Sequence, residues 1–288
     1  MRTVIRWGSY PLIFLGCAWL QYFIVAEGLP YWPLSALVAA TGIGLIVILE
    51  RIQPYEPDWN KDHGDTVVDI FHAAFSLTLI FGIVELVVLS RSLLPLEWDV
   101  LHNVWPHEAP LWAQILIAGA IIDFGLWFMH WLSHKNQFLW RLHALHHSSE
   151  RLYWLNGERR HPLSAVLLAS PGLLIVVALG APASVIGCWF AIIAVHLAFQ
   201  HSNLDYSIGP LRQIIGVAEV HRWHHKRDYE DAQVNYGEFW MVWDQMFRTF
   251  TYARNGVRAG DVGMREAIPT RYWQQIQWPF KRFVPSEP

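Results

Sequence analysis

Charge is scarce in this chain. Only 16% of its 288 residues are Asp, Glu, Lys or Arg, against about 25% in an ordinary soluble domain. Hydrophobic residues make up 53% and the mean hydropathy is +0.23, which excludes a disordered chain. Two cysteines are too few for a disulfide scaffold or a Cys-held iron–sulfur cluster. Cys17 and Cys188 both fall in apolar runs and read as buried free thiols. A net charge of −3 argues against a nucleic-acid partner. No dinucleotide-binding fingerprint, repeat or low-complexity tract is present.

Long apolar runs take the place of charge, and a membrane-spanning helix needs roughly 17–25 such residues. Tyr10–Ala26 and Pro33–Leu49 carry no charge, and Glu27–Trp32 forms a short aromatic turn between them. Thr66–Leu89 is less clean, with Asp69, His72 and Glu85. Leu111–Met129 contains only Asp123, and Leu163–Leu179 and Ala183–Gln200 form a hairpin about Gly180-Ala181-Pro182. Pro171-Gly172 interrupts the first arm of that hairpin, so it reads as a deeply inserted or re-entrant pair. The first run reads as a retained span, because no small-x-small cleavage site precedes the turn. Seventeen Trp and ten Tyr suit the two membrane interfaces.

Lys and Arg orient the chain. With the N-terminus inside, residues 1–9, 50–65, 130–162 and 201–288 hold twenty of the 21, and only Arg91 is outside. Both termini are therefore expected in the cytoplasm. The outer loop 90–110 is acidic, with Glu97, Asp99 and Glu108. The expected fold is all-α and integral to the membrane: a helix bundle with a cytoplasmic, histidine-lined di-metal cap. The expected division is 1–110 as N-terminal membrane segments, 111–252 as the catalytic region and 253–288 as an interfacial tail. That tail mixes Arg254, Arg258, Arg271, Lys281 and Arg282 with Trp273, Trp278 and Phe280.

Histidine is the second surplus, with fifteen residues. His130 and His134 are i, i+4 and share a helix face. His143, His146 and His147 are i, i+3, i+4, and His221, His224 and His225 repeat the pattern. His201 ends the sixth apolar run, with His196 five residues earlier as a tenth candidate. Five residues turn about 140° around a helix, so His196 ranks below the other nine. Imidazoles crowd this way when something cationic uses their lone pairs. Eight to ten nitrogens are too many for one ion, and two ions with four or five ligands each is the natural count. Imidazole suits Zn, Cu, Fe and Ni. The Glu that a His-Glu-x-x-His zinc hydrolase uses as base is replaced by Trp131 and, in the third cluster, by Arg222. A nitrogen shell around two irons suits O2 activation against a C–H bond, with zinc as a metal that misloads such sites.

Several further motifs accompany these clusters: Asp123 through His134, His143-x-x-His146-His147-Ser148-Ser149-Glu150, and Arg160-His161-Pro162. Gln200-His201-Ser202-Asn203, Gly209-Pro210-Leu211-Arg212 and His221-Arg222-Trp223-His224-His225 follow, then Asn235-Tyr236-Gly237 and Trp243-Asp244-x-x-Phe247. Over about residues 110–252 the chain resembles the fatty acid hydroxylase/sterol desaturase superfamily of membrane di-iron oxygenases. The resemblance implies a membrane base of helices under a cytoplasmic di-metal site, and reductant-driven use of O2 to hydroxylate or desaturate a lipid-like substrate. Sterol, fatty acyl, ether and amino-acid lipids all remain open. Electrons are expected from a separate ferredoxin or small haem protein, since the chain carries no redox motif of its own.

Asp123 lies two turns deeper than His130 and is expected to accept N–H from a ligand histidine. Asn203, Asn235 and Asp244 either do the same or cap loops and helices. His161 before Pro162 reads as structural. A lipid tail is expected to enter through an apolar cleft between the 111–129 helix and the 163–200 hairpin, with Gly119 and Ala169 on its walls. The competing reading is a non-oxygenase membrane metalloprotein. A haem-binding electron carrier calls for isolated mid-span histidines, and a metal transporter for polar residues through several spans.

Overall fold

A computed structural model describes residues 1–93 and 104–281, apart from the side chains of 80, 81 and 83–93. Glu97, Asp99, His102, Arg282 and the side chains of Glu85 and Arg91 therefore lie outside the described residues. All six apolar runs are helical: α1 (Arg2–Ala26), α2 (Tyr31–Ile52), α3 (Thr66–Leu93), α4 (Leu111–Ser133), α6 (Pro162–Ala178) and α7 (Ala183–His201). The shorter α5 (Gln137–His147), α8 (Ala218–His224), α9 (Val242–Phe247) and α10 (Tyr272–Gln277) belong to the cap. Among the described residues no sheet forms, only three isolated bridges. The fold is thus all-helical, as expected.

Four helices, α1, α2, α4 and α7, are long and apolar enough to cross a membrane. The 17 residues of α6 rise only about 26 Å, short of a full hydrocarbon core. The chain is a multi-pass membrane protein. Leu12, Leu15 and Trp19 on α1, Leu37 and Ile48 on α2, and Trp112, Leu116 and Phe128 on α4 are exposed, as lipid-facing side chains must be.

Packing runs from α3 through α6, α4 and α7 to the pair α1 and α2. The tightest crossing, α4 on α6, depends on two glycines. A Cβ on Gly172 would lie 2.5 Å from Ile122 Cα, and one on Gly125 would lie 2.5 Å from Gly172 N. Such small-residue contacts let helix backbones touch in a membrane. The expected lateral cleft is therefore closed at this level, and Gly119 lines no entrance: it faces the Trp189 ring on α7. Sequence periodicity cannot reveal this, because which helices meet at a glycine is a tertiary fact. Gly172→Ala should force α4 and α6 apart, at a cost of about 1–3 kcal/mol or more. Thermal unfolding in detergent should show a marked loss of folded protein, whereas Gly16→Ala, with nothing within 4 Å, should be neutral. Equal melting of the two variants would contradict the crossing.

One end of the bundle gathers every segment that the charge pattern put on the same side. Ser207 N–H donates to Arg6 O at 2.8 Å, and Tyr55 N–H to Asn203 O at 2.6 Å. Glu50, at the end of α2, accepts from the backbone N–H groups of Trp154 and Asn203. Arg151 is buried and forks onto Asp65 at 2.7–3.1 Å, just before α3. Arg159 pairs with Asp69 inside α3. Local caps set the cap helices. Asn136 Oδ1 accepts from Phe138 and Leu139 N–H at the start of α5. His161 Nδ1 accepts from Leu163 N–H, with Pro162 at the first position of α6. His161 is thus a helix cap, in keeping with its structural reading.

Candidate metal centre

Four helix ends deliver the histidines to one buried place. The last turn of α4 carries His130, and its cap is His134. From α5 come His143, His146 and His147; His201 is the last residue of α7. His221 and His224 lie on α8, capped by His225. Their ligand atoms form two groups, each within 4.8 Å: His130, His134, His143, His147 and His224, and His146, His201, His221 and His225. All nine are buried.

Each triplet is divided between the groups. His143 and His147 join the first while His146 joins the second; His221 and His225 join the second while His224 joins the first. Helix geometry explains this, since residues i+3 and i+4 leave on opposite sides of residue i, about 100° apart. The groups also touch: the His147 and His225 ring centres are 4.7 Å apart.

Nitrogen chemistry tests whether metal fits. His130 Nδ1 donates to Tyr236 O and His224 Nδ1 to Val234 O, both at 2.8 Å. His201 Nδ1 faces Asn156 Oδ1 at 3.3 Å, whereas His134 Nδ1 accepts from the Gln233 amide N–H at 3.1 Å, so no carbonyl sets the His134 tautomer. A carbonyl on Nδ1–H fixes the tautomer that leaves a lone pair on Nε2. The Nε2 atoms of His130, His134 and His224 are buried with no partner. His201 and His221 Nε2 stand 2.9 Å apart, His221 and His225 Nε2 3.1 Å, and His143 and His147 Nε2 3.2 Å. With metal–nitrogen bonds of about 2.1 Å, two ligands at right angles have nitrogens about 3 Å apart. The spacing and the orphaned nitrogens fit metal ions. Burial holds His143, His146, His147, His221, His224 and His225 well below the usual imidazole pKa. Neighbouring imidazoles push the same way, so these rings are neutral, as a ligand must be.

His196 stands outside both groups. Tyr10 Oη donates to its Nδ1 at 2.8 Å, and its Nε2 donates to the Gly216 and Glu238 carbonyls at 3.0 Å. With both nitrogens engaged, it has no lone pair left for metal. Asp123 has different partners from those expected of it. Its oxygens accept from Phe239 N–H (2.8 Å), Trp240 N–H (3.1 Å) and Trp243 Nε1–H (2.9 Å), and from no histidine. It acts at one remove, holding the strand-like segment whose Tyr236 carbonyl anchors His130. Asn203 ties Glu56 and Asn60 together, and Asn235, at φ 53°, clips Val220 to Thr251. Neither touches an imidazole. Asn156, Gln233 and Glu238 are the side chains that sequence reasoning missed. Glu238 Oε1 stands 3.6 Å from His130 Nδ1, and no spacing signal marks any of the three.

A helical membrane protein with nine neutral imidazoles in two buried groups at one end of its bundle is a membrane metalloprotein. The chain belongs to the fatty acid hydroxylase family, whose pattern matches residues 115–249. It is 31% identical over 257 residues to the ornithine lipid hydroxylase OlsE of Rhizobium tropici, covering 85% of this chain and 75% of that one. Alkylglycerol monooxygenases are also similar: that of Danio rerio at 31% over 53% of this chain and 34% of its own, and that of Homo sapiens at 31% over 45% and 28%. The chain thus matches only about a third of the length of those monooxygenases. No solved structure matches. The protein is an O2-dependent oxidoreductase of the membrane lipid hydroxylase and monooxygenase kind, with a histidine metal site.

Proposed function

We propose that the protein is a di-iron hydroxylase of a membrane lipid with an amino-acid headgroup, ornithine lipid being the first candidate. The observation that carries this is the division of nine imidazoles into groups of five and four. Similarity to a hydroxylase of ornithine lipid across 85% of the chain favours that substrate. Bound iron would supply the redox chemistry that activates O2. The residues hold the neutral nitrogens in place and exclude bulk water. The balance is one C–H bond, O2, two electrons and two protons in, and one C–OH bond and water out.

In this reading residues 111–252 carry the chemistry, residues 1–110 add membrane helices, and the segment from 253 onward lies along headgroups. Exposed Trp273 and Phe280 beside basic Arg271 and Lys281 support the last assignment. The Lys and Arg distribution supports a cytoplasmic site with both termini inside. The two electrons come from a separate ferredoxin or small haem protein. A cavity of about 640 Å³ supports its approach, with His147 and Trp140 in its lining and Lys226, Asp228 and Arg265 around them. The Trp140 ring lies 5.3 Å from His147 and 4.9 Å from His134.

Lipid mass spectrometry of cells with and without the gene is the test. An amino-acid lipid gaining one oxygen is expected, together with two iron ions per purified chain. Two zinc ions would support the site without the iron, while a metal-free preparation that still turns over would end the proposal.

A further inference from the structure

A carboxylate and a guanidinium, Glu238 and Arg160, lie beside the imidazoles without holding them. Glu238 is 3% exposed, and its Oε2 has no hydrogen-bond partner. The closest cation is the Arg160 guanidinium, at 3.8 Å. Arg160 is 8% exposed and uses only Nε, which donates to Gly157 O at 2.9 Å. Among the described residues its two terminal nitrogens donate no hydrogen bond.

This is a poor structural ion pair. A fork-to-fork arginine–carboxylate pair closes to about 2.7–2.9 Å, and burying charge without such contacts is unfavourable. The pair leaves the Glu238 Oε2 atom without a hydrogen bond and two guanidinium nitrogens unused. The group also sits beside both histidine sets. Glu238 Oε1 stands 3.6 Å from His130 Nδ1 of the first, and Gly157, whose carbonyl Arg160 holds, packs against the His201 ring of the second.

The geometry points to a headgroup-recognition site, in which Arg160 takes the carboxylate of a zwitterionic amino-acid headgroup and Glu238 takes its ammonium. A planar guanidinium suits a carboxylate, and the unpartnered Glu238 oxygen suits a cation. The site would hold a headgroup carbon, rather than the far end of an acyl chain, beside the imidazoles. This rests on the reading of the protein as an amino-acid-lipid hydroxylase and adds the residues that select the lipid.

The test uses the iron-loaded full chain in nanodiscs with three lipids: ornithine lipid, its carboxyl methyl ester and its N-acetylated form. The wild type should take each blocked lipid with KM raised about tenfold or more, since a site built to bond a group rejects the analogue lacking it. Arg160→Met should raise KM for ornithine lipid by a similar factor and leave the methyl ester little changed, with Arg160→Lys between. Glu238→Gln should act likewise, with the N-acetyl form as the insensitive substrate. Native mass spectrometry of zinc-loaded protein should show the same order of lipid binding without turnover, and metal content should not change. Wild-type protein that handles blocked and free lipids equally would overturn the assignment, even if no variant folds. So would variants that lose metal and turnover alike on every lipid, since that marks a structural role. A wild type that hydroxylates no amino-acid lipid would instead remove the underlying function, and this site with it.

Discussion

Alanine at His143, His147 or His225 is expected to reduce turnover below detection and to lower the metal content of the purified chain. Each ring is buried and neutral, and its ligand atom lies within 4.8 Å of the others in its group. His143 and His147 face each other in the five-membered group, and His225 faces His221 in the other. The Nδ1 atoms of His130 and His224 are committed to carbonyls and cannot replace the lost nitrogen. His196 and His63 are the discriminating controls. His63 lies outside both groups, 3.7 Å from Asp58, and His63→Ala should behave as wild type. His196→Ala should keep its metal and lose some stability, because Tyr10 loses its acceptor while the two carbonyls keep only Gln200 as donor. Metal analysis beside turnover reads all five variants. Wild-type-like activity at any of the first three positions, or metal loss at His196, would reverse the ligand assignment.

The nine clustered histidines were legible because imidazole at i, i+3 and i+4 is a local pattern that survives whatever the tertiary fold does with it. The six helices were legible for the same reason, since apolar runs bounded by turns depend on nearby residues alone. The sorting of His146 away from His143 and His147 was not, because it depends on where α7 and α8 cross α5. Nor were Asn156 or the Tyr236 carbonyl, which meet their histidines across 45 and 106 residues of sequence. A backbone carbonyl has no residue signature at all. Pro171-Gly172 read as an interruption of an apolar run, and the α4 backbone against α6 is what gives Gly172 its purpose. Asp123 was conspicuous as a buried acid, yet its partners were beyond inference: it reaches 116 to 120 residues forward.

Those partners make Asp123→Ala the most damaging substitution expected outside the histidines. The carboxylate satisfies three donors in a buried place, the N–H groups of Phe239 and Trp240 and the Trp243 indole. Leaving a buried donor unmatched costs about 1–3 kcal/mol, so three put at least about 3 kcal/mol at risk, against a typical total of about 5–15 kcal/mol. The damage should also have a direction. Residues 236–240 are gripped from two sides, by Asp123 at one end and by Asp244, which accepts from Tyr236 and Gly237 N–H at 3.0 and 2.8 Å, at the other. The carbonyl that orients His130 lies inside the Asp244 grip, with the Asp123 grip just after it. Losing either grip frees that carbonyl, and loss of a partner that orients a ligand typically lowers metal affinity about 10–100-fold. Asp123→Ala should therefore weaken metal binding in the five-histidine group before the four-histidine group, and Asp244→Ala should give the same signature. Asp123→Asn, which keeps one accepting oxygen, should fall between alanine and wild type. Trp243→Phe, which removes one donor and orphans none, should be mild. A metal titration followed on each variant, with its melting curve, separates these outcomes. Full metal affinity and an unchanged melt in Asp123→Ala would show that Asp244 alone holds the segment.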